Sequence, residues 1–199
     1  MLLVLVVVGC STKRKMKVAP DVSQEDVLSI LRNTNNYFMD KWPDTGKPIY
    51  TTRWRPSNIW TRAVYYEGLM ALYAIDKDKR YYEYAVDWGD KHHWGLRNGI
   101  TTRNADDQAC GQTYLDLYEI DAKPERVRDI KANIDFIIAS EKDDDWTWID
   151  AIQMAMPVFA KLGVMYEDPN YFDFMYRMYA HAKNVEGAGL YNEADKLWW

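Results

Sequence analysis

Cysteine and histidine are both scarce in this chain of 199 residues, with two of the first and three of the second. The cysteines, Cys10 and Cys110, stand far apart and make no disulfide framework. His92 and His93 are adjacent, which does not aim both at one ion, and His181 stands alone, so no metal site is legible. No glycine-rich phosphate loop and no dinucleotide fingerprint occurs, and no cofactor is called for. Positive charge is not in excess either: 25 Lys and Arg face 30 Asp and Glu, and outside residues 13–17 (KRKMK) the basic residues are scattered. Phosphate binding needs a concentrated basic face, so a nucleic-acid partner is excluded. What the chain does have is aromatic side chains, with 15 Tyr and 9 Trp. They can fill a core, and in a cleft they are also what sugar rings stack against. An apolar fraction of 48% excludes disorder, and the length fits one domain with a real core.

The apolar run at the N-terminus, MLLVLVVVGC, is far short of the ~20 residues that span a bilayer as a helix. It is similar to the end of a bacterial lipoprotein signal, with Val7-Val8-Gly9-Cys10 as the lipobox, although no Lys or Arg precedes the apolar stretch. Cleavage before Cys10 and lipidation of its sulfur are the expectation, which would hold the protein at the bacterial cell envelope. Residues 11–22 then read as a tether and 23–199 as the folded domain. The alternative is a buried N-terminal strand. Cys110 reads as a small buried hydrophobe.

From about Val22 the apolar spacing is helical rather than alternating, and the chain repeats itself. Leu72-Tyr73-Ala74-Ile75-Asp76 matches Leu117-Tyr118-Glu119-Ile120-Asp121, an offset of 45 residues. The same step again reaches Leu162-Gly163-Val164-Met165. Each unit reads as a helix, a short polar turn and a second helix: 58–75 with 79–94, 105–120 with 124–140, and 147–165 with 169–184. A further helix near 23–39 precedes them. Pro124 and Pro169 fall where a new helix starts, a favoured place for proline. Tandem helical hairpins of this length stack into a solenoid or close into a toroid. Aromatic and small residues dominate the first helix of each pair, so the first helix is expected on the inside. The pattern still runs at Trp198-Trp199, as in an unfinished ring.

The repeat gives the carboxylates a context. Asp150, within an apolar run, is one step from Ala105, beside Asp106 and Asp107, and two steps from Trp60. Equivalent ends of inner helices would face one central mouth, so Asp106 or Asp107 could meet Asp150 there, with Trp60, Arg62 and Trp148 lining it. Aspartate near a helix start is also commonly a cap or a dipole partner. Capping is the weaker reading for Asp150, because Asp143-Asp144-Asp145 already supply charge and Asp150 is expected a turn further in. A pair of carboxyls around a sugar-sized cleft, one held neutral by apolar walls such as Trp146 and Trp148, is a recurring need of glycoside cleavage.

The runs NIWTRAVYYEGLMALY (58–73), TRNADDQACGQTYLDLY (102–118), WTWIDAIQMAMP (146–157) and YFDFMYRMY (171–179) resemble the unsaturated rhamnogalacturonyl hydrolases, glycoside hydrolase family 105, related to the family 88 unsaturated glucuronyl hydrolases. The resemblance covers the chain from about residue 25 to its end. It implies an all-α fold, an (α/α)6 barrel of twelve helices, of which about seven are legible here. The family's catalytic aspartate maps onto Asp150. Its second functional aspartate maps best onto Asp106, five residues before Gly111, with Asp107 the close competitor. The implied substrate is an oligosaccharide from pectin (rhamnogalacturonan) carrying a 4,5-unsaturated uronic acid at its non-reducing end. Asp150 would protonate C4 of the vinyl ether and then activate water, while Asp106 holds ring hydroxyls. Arg62, Arg103, His93 and Gln153 are further candidates for uronate or hydroxyl contacts. The rival expectation is a carbohydrate-binding toroid without chemistry, or an inactive fragment. Either way the membrane is met only through the lipid anchor.

Overall fold

The computed structural model describes residues 22–198. Cys10, the signal-like run 1–10 and all of the tether but Val22 lie outside the described residues. Eight α-helices carry the fold: α1 (Gln24–Lys41), α2 (Trp60–Asp76), α3 (Lys79–Lys91), α4 (Ala105–Gln108), α5 (Cys110–Ile120), α6 (Glu125–Ala139), α7 (Ile149–Met165) and α8 (Pro169–Asn184). The residue between α4 and α5, Ala109, keeps helical angles of φ −53° and ψ −37°, so these two are one helix with a slight break. Seven helical rods result, in the order that the 45-residue repeat predicts. Two short antiparallel hairpins were not legible. One pairs β1 (Ile49–Tyr50) with β2 (Trp54–Arg55), and the other pairs β3 (Tyr191–Asn192) with β4 (Leu197–Trp198).

Local chemistry explains the helix ends. Ser23 and Asp26 form a reciprocal capping box on α1. Asp78 caps α3, and Asp168 caps α8 ahead of Pro169 in its first turn. The turn after α2 closes through Lys77 in a left-handed conformation (φ 50°). Three boundaries differ from the expectation. The second helix of the first pair stops at Lys91, because His93 and Trp94 both take positive φ (52° and 58°) and turn the chain away. The helices expected at 58 and 147 begin at Trp60 and Ile149, after Ile59 and Trp148, which are extended.

The first helices of the three pairs are side by side, α2 against α4 and α5 and these against α7, as inner helices should be. The second helices α3, α6 and α8 lie outside them. Lys161 on α7 pairs with Asp116 on α5, a link between neighbouring units at the repeat spacing. Arg126 is buried on α6 and donates to the carbonyls of Leu117 (2.8 Å) and Asp121 (3.1 Å), so it closes the end of α5. The core is aromatic and aliphatic: Tyr66 stacks on Trp88 at 4.0 Å between centroids, with Tyr114 beside them. Trp146 meets Phe159 edge-on. Cys110 is fully buried, and burial pushes its thiol up to about 12, which leaves it a packing residue. The all-helical toroid architecture therefore stands. Among the described residues no helix is long and apolar enough to cross a membrane.

Candidate active site

Asp106 and Asp107 are adjacent on α4 and have opposite surroundings. Successive helical residues diverge by about 100°, so one can face solvent while the other faces the core. Asp107 is 0% exposed. Its Oδ2 accepts from Asn98 Nδ2 (2.8 Å) and Thr102 Oγ1 (2.6 Å), and Arg97 Nε lies 2.6 Å from Oδ1, too far out of line for a hydrogen bond. Asp107 thus anchors the loop between α3 and α4 and has no free face for a ligand. Asp106 is half-buried, and the cap of α4 comes from Asn104, whose Oδ1 accepts the Asp106 amide (2.9 Å). Its carboxyl is free of capping duty.

Burial raises the proton affinity of Asp106, Arg97 and Arg55 pull it back, and the charges of Asp107 and Asp150 raise it further. The α4 and α7 carboxyls thus share one electrostatic neighbourhood although they come from different hairpins. Arg55 is a residue that sequence reading missed. It ends β2, its Nε is buried without a partner, and its charge reaches Asp106.

Asp150 is not where the sequence suggested. It is the second residue of α7 rather than a turn further in, and it is exposed, without the tryptophan wall expected around it. Trp146 is buried in the core, and Trp148, the residue before α7, is half-buried against it. The reason is local: Trp148 is extended (φ −148°, ψ 157°) and the helix starts only after it, so the aromatic pair precedes α7 instead of forming its first turn. Gln153 lies on the same face as Asp150, three residues on, and donates to Glu67 Oε2 on α2 (2.7 Å). Trp60 is seven residues before Glu67 and shares that face of α2. The Gln153–Glu67 bond therefore turns the Trp60 face of α2 toward the Asp150 face of α7. Glu67 was also missed. Burial raises its proton affinity and the Gln153 bond lowers it, and the charges that act on it are those of Asp116 and Lys161, so it lies further along the inner helices than Asp106 and Asp150.

Three further candidates are placed elsewhere. Arg62 follows Trp60 by two, about 200° around the helix, and points away from the mouth into the aromatic rings of Phe38 and Trp42. Arg103 binds Asp145 Oδ1 (2.7 Å), Ser140 Oγ (2.7 Å) and the Lys142 carbonyl (2.9 Å), which straps the 140–145 loop to the start of α4. His93 is exposed at the end of α3. Its neighbour His92 is the engaged histidine, 2.5 Å from Ser57 Oγ. Among the described residues no cluster of three or more His, Cys, Asp or Glu side chains could hold a metal ion.

Known proteins are similar to this chain in sequence and in fold. A curated unsaturated 3S-rhamnoglycuronyl hydrolase of Formosa agariphila is 24% identical over 154 residues, covering 69% of this chain and 39% of that protein. A solved polysaccharide lyase superposes with a TM-score of 0.77 at 23% identity, over 88% of this chain and 49% of its own. A solved glycosyl hydrolase family 88 protein from Bacteroides vulgatus does so with a TM-score of 0.76 at 23% identity, over 88% and 50%. The chain spans about half the length of these structures and less of the curated relative. Residues 30–199 match the family model described as Glycosyl Hydrolase Family 88. Since that match takes in every hairpin that positions Asp106 and Asp150, the chain belongs to glycosyl hydrolase family 88.

Proposed function

We propose that this chain carries part or all of a glycosidase that removes a 4,5-unsaturated uronyl residue from the non-reducing end of an oligosaccharide. The observation that carries this reading is the pair Asp106 and Asp150, presented from adjacent inner helices and close enough for one charge to act on the other. The curated relative is named for an unsaturated rhamnoglycuronyl substrate, which supports a uronyl ring joined to a rhamnose-containing chain. We extend this to rhamnogalacturonan fragments of pectin.

The chemistry asks for one proton donor that becomes a base. Asp150, in its acid form, gives its proton to C4 of the ring's vinyl ether, and positive charge develops at C5. Water adds at C5 and returns a proton to the Asp150 carboxylate. The hemiketal opens to a 5-keto sugar, and the hemiacetal left at C1 releases the neighbouring sugar as an alcohol. Asp106, whose proton affinity burial raises, holds a ring hydroxyl through its half-buried carboxyl. Arg55 and Arg97 supply positive charge on the same side, which favours an anionic sugar. Gln153 adds a polar contact one turn further along α7 than Asp150.

The assay is the decay of ultraviolet absorbance of an unsaturated galacturonyl-rhamnose or glucuronyl-rhamnose disaccharide. Asp150→Asn keeps the shape and removes the transferable proton, so turnover should fall by ~10²- to 10⁴-fold, the usual share of general acid–base catalysis. Asp144→Asn, at the exposed member of the acidic run, should leave turnover near normal. A second reading, a sugar-binding toroid without chemistry, draws support from the exposure of Asp150. Binding of the disaccharide with no decay, or unchanged turnover in a folded Asp150→Asn variant, favours that reading and rejects the hydrolase.

A further inference from the structure

Arg62 is 2% exposed, and two of its guanidinium nitrogens are buried without a hydrogen-bond partner. An arginine keeps its charge even when buried, and a buried charge without a counterion is costly. Among the described residues no carboxylate pairs with it. The rings of Phe38 and Trp42, with centroids 5.1 and 4.9 Å from the guanidinium carbon, offset part of that cost. They do not neutralise the charge.

Arg62 lines a cavity of about 540 Å³ between the end of α1, the start of α2 and the β1–β2 hairpin. Lys41 and Lys47 also line it, neither of them in an ion pair among the described residues, and the one acid on its wall, Asp44, accepts from the Gly46 amide. The walls add aromatic surface from Trp42, Tyr50 and Trp54, with Trp54 66% exposed at the rim. Alternation along β2 sends Trp54 and Arg55 to opposite faces. Trp54 faces this cavity while the Arg55 charge reaches Asp106. The hairpin is therefore a partition between two compartments, and neither Asp106 nor Asp150 lines the second.

We propose that this second compartment binds a sugar acid: its carboxylate serves as the counterion of Arg62, Lys41 and Lys47, and its ring lies against the exposed tryptophan at the rim. The sugar acid could be a free monosaccharide or one residue of a longer acidic oligosaccharide, and both present the same chemistry. The site stands without the hydrolase reading, because it uses none of the residues assigned to the reaction.

Intrinsic tryptophan fluorescence of the full chain would be titrated with glucuronate, with trigalacturonate and with glucose. A saturable change with the two acids and none with glucose is the expected result. Tighter saturation by trigalacturonate assigns the cavity to part of a longer chain, and equal saturation assigns it to a free sugar acid. Lys47→Gln and Trp54→Ala each alter a rim residue outside the core, and each should weaken binding roughly tenfold, the first through a lost hydrogen bond to the carboxylate and the second through a lost stacking surface. Added salt should weaken it too. The double variant Asp106→Asn with Asp150→Asn should bind the acids as before, which separates this site from the hydrolytic one. Equal binding of glucose, or acid binding that survives both Lys47→Gln and Trp54→Ala, overturns the proposal.

Discussion

An aspartate near a helix start is ambiguous in a sequence, because capping, dipole pairing and chemistry all put one there. In this chain the ambiguity is resolved by neighbours. Asn104 caps α4, Thr102 and Asn98 hold Asp107, and Asp106 is left with solvent on one side. None of this was legible beforehand, because adjacent residues of one type differ only in which way the helix turns them. His92 offers a prediction at this scale. The Ser57 hydroxyl gives its single proton to the Thr45 carbonyl (2.7 Å), so His92 Nε2–H donates to the Ser57 oxygen. Burial, aided by the charge of His93, lowers its proton affinity from 6.5 to about 4. The unfolded chain therefore binds this proton first as pH falls, and the stability held above 6.5 is lost progressively toward 4. Chemical denaturation across that window should show a steeper loss in the wild type than in His92→Gln. Identical slopes would mean that the ring is not held neutral.

At the scale of elements, the 45-residue repeat fixed the order and pairing of the helices, since a helix of sixteen or so residues carries several periods of apolar spacing. The hairpins at 49–55 and 191–198 have strands of two residues each, too short to carry any period. With the first hairpin went Arg55 and the partition it forms. Arg62 was misplaced for a related reason: its proximity to Trp60 in the chain says nothing of the face it takes. Gly111 tests how closely the elements approach. A Cβ there would come within 2.5 Å of Ile130 Cγ1 on α6, so the inner and outer helices of the second unit touch through that glycine. Gly111→Ala should cost about 1–3 kcal/mol from overpacking, reduced by the ~0.5–1 kcal/mol that alanine returns in helix propensity. A shifted denaturation midpoint with an unchanged slope would confirm it. A more stable variant would show that the helices can separate freely.

For the molecule as a whole, the decisive feature is that α4 and α7 belong to different hairpins yet pack together, with Asp106 within reach of the Asp150 charge. That much was legible, because the repeat put both residues at the start of inner helices and the resemblance named the same pair. The openness of that site was not legible, because the repeat locates helix starts and not what covers them, and Asp150 is exposed. The most direct measurement is the carboxyl titration of Asp106, followed by carbon-detected magnetic resonance in the wild type and in Asp150→Asn. A shared site predicts a wild-type midpoint raised from the ordinary aspartate value, first by burial and further by the Asp150 charge. Removing that charge should lower the midpoint while leaving the part due to burial. An Asp106 that titrates as an ordinary aspartate, or whose midpoint is the same with and without the Asp150 charge, would contradict the pairing on which the hydrolase reading rests.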